Sequence, residues 1–176
     1  MSYFRFVVLG LLLLALGACG FQPLYQKQTD SDAVIDDLAQ VKILNPRDPI
    51  DHDDRLGQIV KNLLLDRFNP RGRPGTPFYT LEVKVRSTKT ELGFKITDEA
   101  TRAKLALSAS YVLSEKKTKA VLFRGTSRSV NSYNIVRSEF ATLSAEQNAT
   151  KRAAREIADD IKLRLGIFFN DLRRGN

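Results

Sequence analysis

The sequence predicts an α+β fold: a four-stranded, mainly antiparallel sheet with two helices packed on one face. Three observations carry this. Between Tyr79 and Ser129 three runs alternate apolar and polar residues with a period of two. Two other segments, one before and one after them, repeat apolar residues at spacings of three and four. A short alternating run, Val41-Lys42-Ile43-Leu44, precedes the first of these and stops at Asn45-Pro46. Period two marks a half-buried strand and period 3.6 an amphipathic helix.

Each element can be justified in turn. Residues 20–40 are polar, with Asp30, Asp32, Asp36 and Asp37, and read as a tether in which Val34-Ile35 and Leu38 pack locally at most. Val41–Leu44 is a short strand bounded by turn residues. A helix is predicted from about Asp53 to Phe68, because Leu56, Ile59, Val60, Leu63, Leu64 and Phe68 share one face. Acidic residues at its start suit the partial positive charge of a helix N-terminus. Asn69-Pro70 ends it, and Arg71–Gly75 is a loop.

The strands follow. Tyr79, Leu81, Val83 and Val85 alternate with Thr80, Glu82, Lys84 and Arg86. Ala103, Leu105, Leu107, Ala109, Tyr111 and Leu113 alternate with Arg102, Lys104, Ala106, Ser108, Ser110 and Val112. The third run is Ala120–Ser129, and Glu115–Lys119 is the charged hairpin turn before it. Ser129–Asn134 is polar and reads as a loop carrying an exposed Tyr133. The last helix is predicted from Ser138 to Asp171, with Ala154, Ile157, Ala158, Ile161, Leu165, Phe168 and Leu172 as its stripe. Ser138 is a suitable cap, since its hydroxyl can accept from an otherwise unpaired first-turn amide.

The chain start carries the most specific motif. Phe6–Ala18 is apolar apart from Gly10 and Gly17, and Leu16-Gly17-Ala18-Cys19-Gly20 follows. Cys19 is the only cysteine. An apolar run of this length fits a removed signal peptide, which needs about 7–15 residues, better than a membrane span, which needs roughly 20. The motif resembles a bacterial lipobox, where the signal is cut and the new N-terminal cysteine acylated. The expected organisation is signal peptide 1–18, acylated N-terminus and tether 19–40, and one α+β domain 41–176. Acylation at Cys19 leaves no thiol for a disulfide, so the core alone holds the domain. Gly20, where an aspartate retains many such proteins at the inner membrane, implies an outer-membrane address by the same resemblance.

Net charge is +8, unevenly spread. Residues 19–54 are net acidic and residues 55–136 strongly basic. A basic stretch ordinarily raises nucleic acid as a partner. A secreted, lipid-anchored chain meets phosphorylated lipids instead, so nucleic acid is excluded. Lys84, Arg86, Arg102, Lys104, Arg124 and Arg128 all fall on the polar phase of their strands. Aligned in register they form a basic face able to meet carboxylates or lipid phosphates, and a guanidinium engages phosphate with two donors at once.

Catalysis is not expected. His52 is the only histidine, and Asp51-His52-Asp53-Asp54 is explained by helix-start carboxylates more simply than by a metal. No second histidine, free thiol, nucleophile elbow or phosphate-cradling glycine pattern is visible, and nothing selects a carboxylate pair. No metal and no cofactor is expected beyond covalent acyl chains on Cys19.

Cys19-Gly20-Phe21-Gln22-Pro23-Leu24-Tyr25 after the lipobox resembles the mature start of the LptE family of lipopolysaccharide-assembly lipoproteins. The segment from Ser138-Glu139-Phe140-Ala141 through Ala153–Ile161 to Leu165 is similar to that family's C-terminal helix, and the order of elements agrees. The resemblance implies an outer-membrane lipoprotein that plugs and helps assemble the LptD β-barrel, assists lipopolysaccharide insertion into the outer leaflet, and binds lipopolysaccharide. It fixes no lipid-binding residues. The alternative is a free-standing, periplasm-facing lipoprotein that binds or ferries a lipid or anionic ligand.

Overall fold

The computed structural model describes residues 29–44, 55–70, 72, 74–94 and 100–175. In chain order these form α1 (Thr29–Ala39), β1 (Val41–Ile43), α2 (Arg55–Phe68), β2 (Tyr79–Phe94), β3 (Ala100–Glu115), β4 (Val121–Asn134) and α3 (Glu139–Arg174). Cys19, the signal peptide and the Asp51–Asp54 cluster lie outside the described residues.

The strands make one sheet in the order β1-β2-β3-β4. β1 pairs parallel with β2, and β2-β3-β4 is an antiparallel meander. Alternation sends Leu81, Val83, Val85, Leu107, Ala109, Tyr111 and Leu113 to one face, where all are buried. Leu38 of α1, Val60, Leu64 and Phe68 of α2, and Ile157, Ile161, Leu165 and Phe169 of α3 close over them in one core. The fold class is the predicted one, a mostly antiparallel four-stranded sheet with its helices on one face.

The difference lies in a third helix. Residues 29–39, expected as the end of a tether, form α1, and Leu38 is only 2 % exposed. Val34 and Leu38, spaced i,i+4, give too short an apolar stripe to announce a helix. What holds it is distant in sequence. Arg173 near the end of α3 donates to Asp37 Oδ2 at 2.8 Å and to the Ala33 carbonyl at 2.6 Å.

α3 is 36 residues long, about 54 Å. The Ser138 hydroxyl accepts from the Ala141 amide at 3.3 Å. Gly175, at φ 74°, supplies the left-handed residue that terminates the helix. A smaller core of Ala103, Leu105, Tyr133 and Ala149 lies under its N-terminal half.

Two strands run further than alternation predicts. β2 continues past Arg86, where Ser87–Leu92 is exposed on both faces and carries no apolar rhythm. Ser129–Asn134 is strand rather than loop, and Tyr133 is buried rather than exposed. The inward residues here are polar but satisfied by the helix above. Ser129 Oγ donates to the Glu156 carboxylate, Asn131 Nδ2 donates to Ser129 Oγ at 2.9 Å, and Arg152 Nε donates to Asn131 Oδ1 at 3.2 Å.

Candidate functional site: a basic sheet face

With the helices on one side, the other side of the sheet is left to the polar phase of each strand. Register decides what meets there. Arg86 of β2 pairs with Ser108 of β3, and Ser108 with Arg128 of β4. One row along, Lys84 pairs with Ser110, and Ser110 with Thr126. In the next row Val112 separates Glu82 from Arg124. Strands two apart lie about 10 Å from each other. Arg86 and Arg128 therefore flank a spine of small hydroxyls on β3, across a gap that a phosphate with its hydration can fill.

Lys104 and Arg102 continue the face toward the far end. Lys104 stands between Thr90 and Ser132, and Arg102 between Leu92 and Asn134. All six predicted cations thus share one face, with four grouped near its middle. Lys42 of β1, paired with Thr80, adds a seventh that the sequence reading did not single out. Its position between the buried Val41 and Ile43 was the available signal.

The electrostatics are one-sided. Among the outward positions of the described strands Glu82 is the only acid, and Lys84 Nζ lies 3.6 Å from its Oε1. Arg86, Arg102, Lys104, Arg124 and Arg128 form no ion pair among the described residues. Like charges held on one face without counter-ions raise the local potential and concentrate anions. The face is not wholly polar: Leu92, Val112, Leu122 and Val130 stand among the cations.

Opposite-charge pairs on the helix side serve the fold instead. Arg67 of α2 grips Asp159 of α3 with two bonds, at 2.6 and 3.0 Å. Lys89 and Tyr133 both donate to Glu146 Oε2, each at 2.8 Å. The Lys89 bond, opposed by partial burial, holds the Glu146 carboxyl below its ordinary range. These pairs fasten helices to helices and to the sheet, and leave the outward face free.

Solved structures share this architecture. A candidate lipoprotein from Caulobacter crescentus superposes with TM-score 0.61 at 23 % identity, covering 78 % of this chain and 96 % of its own. Rare lipoprotein B from Shewanella oneidensis gives 0.56 at 12 % identity over 76 % and 98 %. A minor lipoprotein from Acinetobacter baumannii gives 0.53 at 14 % identity over 72 % and 88 %. At such identities the likeness is one of fold. No curated protein matches the chain in sequence. The sequence pattern of the LptE family, described as lipopolysaccharide-assembly, matches residues 38–165, from the end of α1 to the last third of α3. The chain therefore belongs to the LptE lipopolysaccharide-assembly family.

Proposed function

We propose that this protein is an outer-membrane lipoprotein, anchored by acyl chains on Cys19 and facing the periplasm. It pairs with an LptD-type β-barrel as plug and assembly partner and assists lipopolysaccharide insertion into the outer leaflet. The observation that carries the proposal is the family match over residues 38–165.

Physical chemistry supports it. A barrel lumen is polar, so a plug needs a compact body with a charged, hydrogen-bonding exterior. The basic face supplies one, and its unpaired guanidinium groups suit barrel carboxylates or lipid A phosphates. One acyl chain binds a membrane only marginally, and stable anchoring takes two. The two or three chains typical of bacterial lipoproteins make attachment to Cys19 durable. The role is one of binding and assembly, with no catalytic step and no resident cofactor.

The test is a pull-down of the acylated protein from solubilised outer membranes, with surface lipopolysaccharide measured after depletion. Stoichiometric recovery of a large barrel and reduced surface lipopolysaccharide are expected. A monomer without barrel would overturn the plug role and favour a free-standing lipoprotein that carries a lipid or anionic ligand.

A further inference from the structure

β4 is an edge strand of 14 residues, and among the described residues its outer edge pairs with no other backbone. One bond fixes where its backbone groups point. The Ile135 amide donates to the Thr101 carbonyl at 3.0 Å. The register runs unshifted from Arg102↔Asn134 to Leu113↔Phe123. Hydrogen-bonded and non-hydrogen-bonded pairs alternate along an antiparallel ladder. The odd-numbered residues 123–133 therefore bond β3. The even-numbered ones, Arg124 to Asn134, turn their N–H and C=O groups to the open edge. These are the same residues whose side chains stand on the basic face.

Proteins usually blunt a long edge with proline, inward charge, short length or a bulge. Val121–Asn134 contains no proline and no inward charge, and its irregularity falls only at the start, between Leu113 and Ser114. What guards the edge is Arg124 and Arg128, four residues apart and on one face.

We infer that the free edge of β4 accepts an extended acidic peptide segment as a fifth, antiparallel strand. Main-chain bonds give such an addition its affinity and alternate side chains its specificity. Arg124 and Arg128 occupy positions that would each sit directly opposite one residue of the incoming strand. Opposite charges so placed stabilise a sheet, and like charges destabilise it. The fitting segment has carboxylates at i and i+4, with a small or β-branched residue between them opposite Thr126. A second copy of β4 fits poorly: it holds no acid, and a pairing centred on Thr126 sets Arg124 against Arg128. The inference rests on β4 alone and not on the barrel reading.

The test uses the full chain in detergent with the capped nonapeptide Thr-Val-Glu-Val-Thr-Val-Glu-Val-Thr, followed by amide hydrogen exchange and titration. Binding should slow exchange at Arg124, Thr126 and Arg128, whose odd-numbered neighbours are already protected by β3. Replacing both peptide glutamates by lysine should weaken binding about tenfold. Thr126→Pro removes a donor that faces only the edge, so the fold should persist and the new protection should vanish. If that variant unfolds, joint Arg124→Glu and Arg128→Glu substitution should instead reverse the preference toward the lysine peptide. No protection at millimolar peptide, or equal affinity for the two peptides, would overturn the inference. Protection of the same amides on concentration alone, with dimer formation, would replace the acidic segment by a second copy.

Discussion

The ring of Tyr111 lies across the backbone of Gly125, its register partner on β4. A Cβ at position 125 would stand 2.5 Å from both Cζ and Oη of that ring. The ring cannot retreat, because Tyr111 is buried and packs near Phe123, with ring centroids 6.2 Å apart. Gly125→Ala should therefore destabilise the protein by about 1–3 kcal/mol, the usual cost of overpacking. Among the described residues the Tyr111 hydroxyl has no hydrogen-bond partner. Tyr111→Phe removes an unsatisfied buried group, so it should be neutral or stabilising by up to about 1 kcal/mol, and it should recover part of the Gly125→Ala loss. Denaturant unfolding of the two single variants and the double variant checks this. Additive losses would show that the ring and Gly125 are not in contact.

Acid should weaken the contacts made by Glu146 and Asp159. Glu146 has its pKa lowered from 4.5 by its bond to Lys89, and Asp159 from 3.8 by its bond to Arg67. A depressed carboxyl pKa contributes stability that is complete above the unfolded value and lost as pH falls through the folded one. Lys89 is shifted the other way, upward, by its bonds to Glu146 and Tyr133, so its share persists until strongly alkaline pH. Glu146→Gln should cost about 1 kcal/mol at neutral pH, kept small by solvent screening. Variant and parent should converge as pH falls through the lowered pKa of Glu146, where the parent carboxyl takes up its proton. Thermal melts across pH 3–7 measure this, and a gap independent of pH would remove the charge from the explanation.

α1 stands on one buried leucine and one arginine. Leu38→Ala should cost about 2–3 kcal/mol. Arg173→Ala should release the same helix by removing its bonds to Asp37 and Ala33. Hydrogen exchange should report faster opening of residues 33–39 in both variants, with β3 unchanged.

Arg86 and Arg128, in one row of the basic face, offer the sharpest probe of lipid recognition. Joint substitution by glutamate should weaken lipopolysaccharide binding about tenfold at low salt, with a smaller effect once ionic strength screens the face. Both side chains point to solvent, so melting should barely move. Unchanged affinity at low salt would reduce the face to a solvated surface.

Cys19→Ser should abolish acylation. A Cys19→Ser protein that still incorporates labelled fatty acid would show that the anchor lies elsewhere.

Much of the architecture is legible from the sequence, for identifiable reasons. Leu81, Val83 and Val85 alternate because one side of β2 is buried under α2 and α3. The rhythm disappears where burial changes: beyond Arg86 the helix meets β2 through the Lys89–Glu146 ion pair and Ser87–Leu92 stays exposed, and at Ser129 and Asn131 the covering helix offers Glu156 and Arg152 in place of apolar groups. The phase of the six cations was readable, since period two fixes which face each one joins. Their grouping was not. That Arg86 and Arg128 share Ser108 depends on the register set by the hairpin at residues 115–120, where Lys119 adopts φ 62° and the Thr118 hydroxyl meets the Glu115 carboxylate. α1 left only the short Val34–Leu38 stripe, because its stabilising partner, Arg173, is 136 residues from Asp37.

That last contact also orders assembly in time. β2, β3, β4 and α3 are consecutive, so each can be built against the element made just before it. Loops closing few residues form early and cheaply. α1 takes most of its contacts from α3, the last element made. Its seat is made of Gly166, near Val34, and Arg173, near the very end of α3. In a chain delivered N-terminus first, α1 emerges early and docks last, so the first helix described tightens only when the last one has been made.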